Sequence, residues 1–243
     1  MSQAIHLTII IPAYNEENSI QATLGEISGY LSRKEFLYEI IVVDDGSTDS
    51  TSENSNACSK FFSNFKLLKN TANKGKGYSI KRAMLEAAGE YALFMDADNS
   101  TSIYEFDKFL PLLLEGYDVV IASRRLKESV VDGPQPFLRA KMGQFYILLA
   151  KMMLGLNISD FNCGFKAYNI RATRFIFELQ RMNDWSFDVE LLFLINKYTL
   201  KLKEVPVRWV HKSGSKVKPV KDAIKSFISI LKIKLNDISH KYN

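Results

Sequence analysis

Hydrophobic residues along the first half of the chain fall in short unbroken runs, and each run stops at polar, acidic or basic residues. Leu7–Pro12 is continuous and β-branched, Glu39–Val43 repeats the pattern, and Phe65–Lys69, Tyr91–Met95 and Asp118–Ala122 follow. Runs this short, apolar at successive positions, predict strands buried on both faces. Helix-length stretches separate them. Ser50 with Glu53 and Ser102 with Glu105 have the spacing of a capping box. Strands alternating with helices predict an α/β fold, with a mostly parallel sheet flanked by helices. No repeat, low-complexity segment or linker interrupts it. The organisation expected is one domain over residues 1–219 and a basic amphipathic helix over 220–243.

In such sheets the ligand lies at the carboxyl ends of the strands, and there the sequence collects its chemistry. Pro12-Ala13-Tyr14-Asn15-Glu16 follows the first run, Asp44-Asp45-Gly46-Ser47-Thr48-Asp49 the second, Asp96-Ala97-Asp98-Asn99 the fourth and Ser123-Arg124-Arg125 the fifth. Asp96 and Asp98 stand two apart at a strand end. If the strand continues through them, both carboxylates face one way and suit Mg²⁺ or Mn²⁺ holding a diphosphate. A surface turn of solvated aspartates is the plainer alternative. Asp44 or Asp45 suits hydrogen bonds from a base or ribose; an N-cap is the alternative, though Asp49 or Ser50 fits that role too. Gly75-Lys76-Gly77 has neither dinucleotide-loop nor P-loop spacing, so it reads as a turn and helix entry with Lys74 or Lys76 near phosphate. Nucleophilic catalysis has no support, because there is no G-x-S-x-G elbow and no histidine in a motif with serine or cysteine. Cys163, among apolar and aromatic neighbours, reads as packing.

Composition narrows the class. A hydrophobic content of 47% excludes overall disorder. Two cysteines and three scattered histidines fit neither a disulfide framework nor a zinc site. The start of the chain has no signal-peptide pattern, so a reducing cytosol is expected. No run reaches the roughly 18 uninterrupted apolar residues of a spanning helix; the nearest, Phe145–Leu156, is shorter and carries Lys151, and the wider Phe137–Leu156 adds Arg139 and Lys141. Charge is uneven. From Asn196 onward lie 12 of the 32 Lys and Arg but 3 of the 27 Asp and Glu, so that end is net +9 and the rest net −4. Over Val220–Tyr242, Ile224, Phe227, Ile228, Leu231 and Leu235 recur at helical spacing, with Lys221, Lys225 and Lys232 opposite. That pattern suits an interfacial helix on an anionic membrane surface. It also suits packing on the domain, or a contact between copies in a homo-oligomer. No nucleic-acid recognition motif accompanies the charge.

Taken together, IIIPAYNE (Ile9–Glu16), VVDDGSTDST (Val42–Thr51), NKGKGYSI (Asn73–Ile80), MDADN (Met95–Asn99) and ASR (Ala122–Arg124) resemble the family-2 inverting glycosyltransferases, whose fold is GT-A, a Rossmann-like nucleotide-sugar-binding sheet. The likeness covers roughly residues 5–220. Downstream, Asp160–Lys166, Trp185–Leu191 and Glu204–Val207 followed by Gly214-Ser215-Lys216 resemble the polyprenyl-phosphate sugar transferases, the dolichyl-phosphate β-glucosyltransferase branch above the mannosyl one. The resemblance implies that Pro12, Tyr14 and Glu16 bind the nucleotide, and that Asp44 or Asp45 contacts base and ribose. It implies further that Asp96 and Asp98 hold metal and diphosphate, and that Arg124, Asp160 and Lys216 line the acceptor and phosphate region. The eukaryotic glucosyl enzymes carry an N-terminal membrane anchor and the multi-pass bacterial relatives C-terminal spanning helices; neither pattern is found here.

These readings imply an inverting transfer of a hexose, glucose from UDP-glucose, to a polyprenyl phosphate on the cytoplasmic face of a membrane. An anionic lipid phosphate needs positioning by Arg and Lys rather than a general base. A glycan hydroxyl acceptor, the first rival, needs a carboxylate base, for which Asp160, Asp188 and Glu190 are candidates; a structural network is their alternative role. The second rival is a catalytically silent nucleotide-sugar binder that docks on membranes or partners.

Overall fold

Alternate residues of each strand feed two different hydrophobic layers. The computed structural model describes residues 5–133, 147–212 and 219–243, with side chains for all of these except 219–226. Strands β1 (Leu7–Ala13), β2 (Tyr38–Asp44), β3 (Phe65–Lys69), β4 (Tyr91–Met95) and β5 (Val119–Ser123) form where the apolar runs predict them. Ile10, Ile41, Val43, Phe94, Val119 and Ile121 point into one layer, and Ile9, Ile11, Ile40, Val42, Leu93 and Val120 into the other. This period of two is why the runs have no polar face.

Four strands come from segments whose sequence does not announce them. They are β6 (Val130–Asp132), β7 (Phe165–Asn169), β8 (Leu202–Pro206) and β9 (Arg208–Val210). The main sheet has the order β3-β2-β1-β4-β7-β5-β8. All neighbours are parallel except β7, which lies antiparallel between β4 and β5. The mostly parallel sheet is therefore as expected, with one reversed strand in its interior. β6 and β9 pair separately.

The helices are α1 (Ile20–Leu31), α2 (Thr51–Ala57), α3 (Lys76–Glu86), α4 (Leu110–Leu114), α5 (described at residues 147–154), α6 (Ile170–Leu179), α7 (Phe187–Lys197) and α8 (Pro219–Ile238). Of the two capping boxes, Ser102 accepts a hydrogen bond from the Tyr104 N–H ahead of a 3-10 turn. Ser50 makes no side-chain cap; Asp49 accepts from the Thr51 N–H at 3.0 Å in its place. On α8, Ile230 and Ile233 are buried in the same layer as α7, and Tyr242 beyond the helix joins them. Phe227, Ile228, Leu231, Leu235 and Ile238 remain exposed. Among the described residues no helix is long and apolar enough to cross a membrane.

Candidate active site

The carboxyl edge of β1 and β2 is shaped by carboxylates that accept from nearby N–H and O–H groups. Asp44 Oδ1 accepts from the Ser47 N–H at 2.8 Å, and its other oxygen from the Ser52 hydroxyl. Asp45 gathers the next loop: Oδ1 accepts from Asn70 at 2.7 Å and from the Lys74 N–H at 2.9 Å, while Oδ2 accepts from the Gly75 N–H at 2.8 Å. Both aspartates are buried. Pro12 is in register with Val43, so the Tyr14–Glu16 segment leaves the sheet beside Asp44. There Asn15, at φ +52°, accepts from the Thr48 N–H, and the Glu16 N–H donates to the Thr51 hydroxyl. Pro12, Tyr14, Glu16, Asp44 and Asp45 thus share one edge, as the ordering of motifs predicts.

At the end of β4 the chain turns. The Asn99 N–H bonds the Asp96 carbonyl at 3.2 Å and Asn99 adopts φ +55°. Asp96 and Asp98 therefore come together through a turn and not through the extension of the strand. Asp98 Oδ1 accepts from the Ser100 N–H at 2.9 Å. Burial and the neighbouring Asp96 charge raise the Asp98 carboxyl above the usual carboxylate range. Beneath them, Gly164 donates space: a Cβ there would lie 2.0 Å from Asp96 Oδ2.

Lys76 opens α3 and its ammonium ion-pairs with Asp96. Gly75 and Gly77 bring this helix entry against the approach to α7. Gly75 has φ +100°, and a Cβ there would meet the Asn183 carbonyl at 2.3 Å. Below Lys76 lies a second, fully buried ion pair, Lys166 with Asp188. Lys166 shares the parity of Tyr168 on β7, which aims it at α7; its ammonium also donates to the Phe161 carbonyl at 2.8 Å. Burial raises the Asp188 carboxyl, with Lys166 and Lys76 opposing that shift. For Lys76 the balance runs the other way: burial works against the charge, but Asp96, Asp188 and Asp98 outweigh it and raise the ammonium.

Across β7, Arg124 follows β5 and grips Asp160 bidentately, with Nε at 2.6 Å and a terminal nitrogen at 2.8 Å. Burial opposes ionisation of Asp160, but Arg124 prevails and holds the carboxyl down at about 2. The Trp209 ring of β9 lies 5.4 Å from the guanidinium. Glu204 of β8 accepts from the Ser159 and Asp160 N–H groups. Glu190 sits apart from the rest: it accepts from the Arg181 and Met182 N–H groups and from the Tyr242 hydroxyl. Lys216 lies outside the described residues. Lys166, Gly164 and Glu204 contact the candidate site residues, and the motifs contain them without assigning them a role. The one readable signal was a lone lysine between Phe165 and Ala167.

Two aspartate carboxylates in one turn offer hard oxygen donors suited to Mg²⁺ or Mn²⁺. No third His, Cys, Asp or Glu completes a protein-only cluster among the described residues. That fits a cation which takes its remaining ligands from phosphate and water. Residues 8–177 match the family described as Glycosyl transferase family 2. The chain belongs to that family. The chain is similar to a dolichyl-phosphate beta-glucosyltransferase of Dictyostelium discoideum, 34% identical over 242 residues, spanning 95% of this chain and 74% of the relative. The human dolichyl-phosphate beta-glucosyltransferase is 30% identical over 226 residues, 88% of this chain and 70% of the relative. The fold is that of mannosyl-3-phosphoglycerate synthase from Rubrobacter xylanophilus, with a TM-score of 0.72 at 15% identity over 98% of this chain and 75% of that one. It is shared with Mycobacterium tuberculosis glucosyl-3-phosphoglycerate synthase, TM-score 0.65 at 20% identity over 94% and 80%, whose crystal structure holds Mn²⁺, UDP and glucosyl-3-phosphoglycerate.

Proposed function

We propose that this family-2 glycosyltransferase moves glucose from UDP-glucose to a polyprenyl phosphate, with inversion, on the cytoplasmic face of a membrane. The observation that carries the reading is the Asp96–Asp98 turn at the end of β4, separated by β7 from the Arg124–Asp160 pair. The nucleotide lies over Pro12, Tyr14, Glu16, Asp44 and Asp45, which share the neighbouring edge. A divalent cation held by Asp96 and Asp98 would neutralise the departing diphosphate. Arg124, fixed by Asp160, and Lys216 orient the acceptor phosphate so that its oxygen meets C1 on the face opposite the leaving group. The engagement of Asp188 with Lys166, and of Glu190 with two N–H groups and Tyr242, supports an acceptor that is already anionic and needs no base. The names of the relatives support the same substrates.

The membrane part of the reading rests on α8. Its inner residues Ile230 and Ile233 fix it to the domain, which leaves Phe227, Ile228, Leu231, Leu235 and Ile238 outward with exposed Lys232 and Lys234 nearby. Apolar area flanked by lysines suits an anionic leaflet.

The test is transfer of label from radioactive UDP-glucose, with Mg²⁺ or Mn²⁺, to a short polyprenyl phosphate extracted into organic solvent. Label in that phase is expected, and Asp98→Asn removes it while the fold persists. Nucleotide binding with no label in lipid would refute the acceptor. On anionic vesicles, the Leu231→Glu, Leu235→Glu double variant is expected to float less than the parent; equal flotation would remove α8 as the contact.

A further inference from the structure

Lys76 stands on the carboxylate that the proposed cation needs. Its ammonium pairs with Asp96, its side chain is 11% exposed, and the Trp185 ring lies 5.1 Å away. An ammonium and a divalent cation on one carboxylate repel each other, so each weakens the other's hold. Asp96 has little freedom to serve both, since its N–H bonds the Gly164 carbonyl at 3.0 Å and its carboxylate rests on the Gly164 Cα. Lys76, in contrast, has further attractions once it leaves Asp96: the Asp188 charge acts on it from below and Trp185 offers a ring face. A diphosphate bound at Asp96 and Asp98 would give it an anionic partner on the other side.

We propose that Lys76 is a resident counter-ion at Asp96 that the divalent cation displaces, so that the cation binds weakly alone and well with a nucleoside diphosphate. The diphosphate then receives the freed ammonium, and Lys76 couples the two ligands. The inference rests on the assignment of the cation to Asp96 and Asp98, and it is independent of which sugar or acceptor is used.

The test is a Mn²⁺ titration of the full chain, read by the electron paramagnetic resonance of free Mn²⁺, with and without UDP. No sugar donor or acceptor is present, so failure of glucose transfer and failure of this inference are separate results. Lys76→Met, and Lys76→Gln as a second uncharged variant, are expected to bind Mn²⁺ alone about tenfold more tightly than the parent. UDP should then tighten Mn²⁺ in these variants by a smaller factor than in the parent. Lys76→Arg, which keeps the charge, should behave as the parent does. Adding Asp98→Asn to Lys76→Met should abolish the gain, which locates the ion. The proposal is overturned by equal or weaker Mn²⁺ binding in folded Lys76→Met and Lys76→Gln, or by no binding to any form without UDP. An undiminished UDP effect, or a gain that survives Asp98→Asn, overturns it too.

Discussion

The carboxyl ends of β1 and β2, and those of β4 and β5 with the amino end of β7 between them, use the same residue, aspartate, in opposite ways. At the first edge Asp44 and Asp45 accept from N–H and O–H groups within about thirty residues in sequence, so they shape loops. At the second, Asp96, Asp160 and Asp188 each meet a lysine or arginine from a different element. The Asp96 and Asp188 pairs tie this part of the sheet to α3 and α7, and the Asp160 pair ties the end of β5 to the approach to β7. A carboxylate among hydrogen-bond donors tolerates loss of one partner. A buried ion pair does not, because the survivor is left as an uncompensated charge.

Lys166→Met tests this difference at its sharpest. It leaves Asp188 buried with its bonded partner gone, and about 3–5 kcal/mol of stability is expected to be lost in chemical denaturation. Lys166→Met with Asp188→Leu should recover much of it; a double variant as unstable as the single would break the contrast. Asp45→Ala removes several acceptors but strands no charge, so about 2 kcal/mol is expected, together with weaker UDP binding. The Arg124–Asp160 pair gives a pH signature. Asp160 is held at about 2, below its ordinary 3.8. Its contribution is therefore fully present above pH 4 and is lost as the pH falls toward 2, on the order of 2 kcal/mol. Denaturation midpoints against pH should show that acid limb in the parent and a flatter one in Asp160→Asn.

The same contrast explains what could be read in advance. β1 to β5 are announced by apolar runs, because strands buried on both faces need no polar alternation. β7 is not, because one of its inward positions is Lys166, and a lysine in a strand is legible as a core residue only once Asp188 is known to face it. β8 is short, partly exposed and polar, as an edge strand tends to be. The acidic segments at strand ends are legible in the sequence and mark where the candidate site lies. Its wiring depended on the reversal of β7 and on the glycine at position 164, neither of which has a local signature. On α8 four residues of the apolar stripe read from spacing, Phe227, Ile228, Leu231 and Leu235, face outward, the Ile224 side chain lies outside the described residues, and it is Ile230 and Ile233, outside that stripe, that pack inward.

The reversed β7 also sets an order of events during synthesis. β1 to β4 lie within the first 95 residues and pair with one another in the finished sheet. The far edge of β4 has to wait until residues 165–169 emerge, and β5, made earlier, has no place beside β4 until β7 fills the gap. Through that interval the nascent chain carries an open, wholly apolar strand edge that ends at the D-x-D turn. Chaperone demand should be greatest in that window, and a ribosome stalled there would display the β1–β2 edge with Asp44 and Asp45 before the cradle for Asp96 exists.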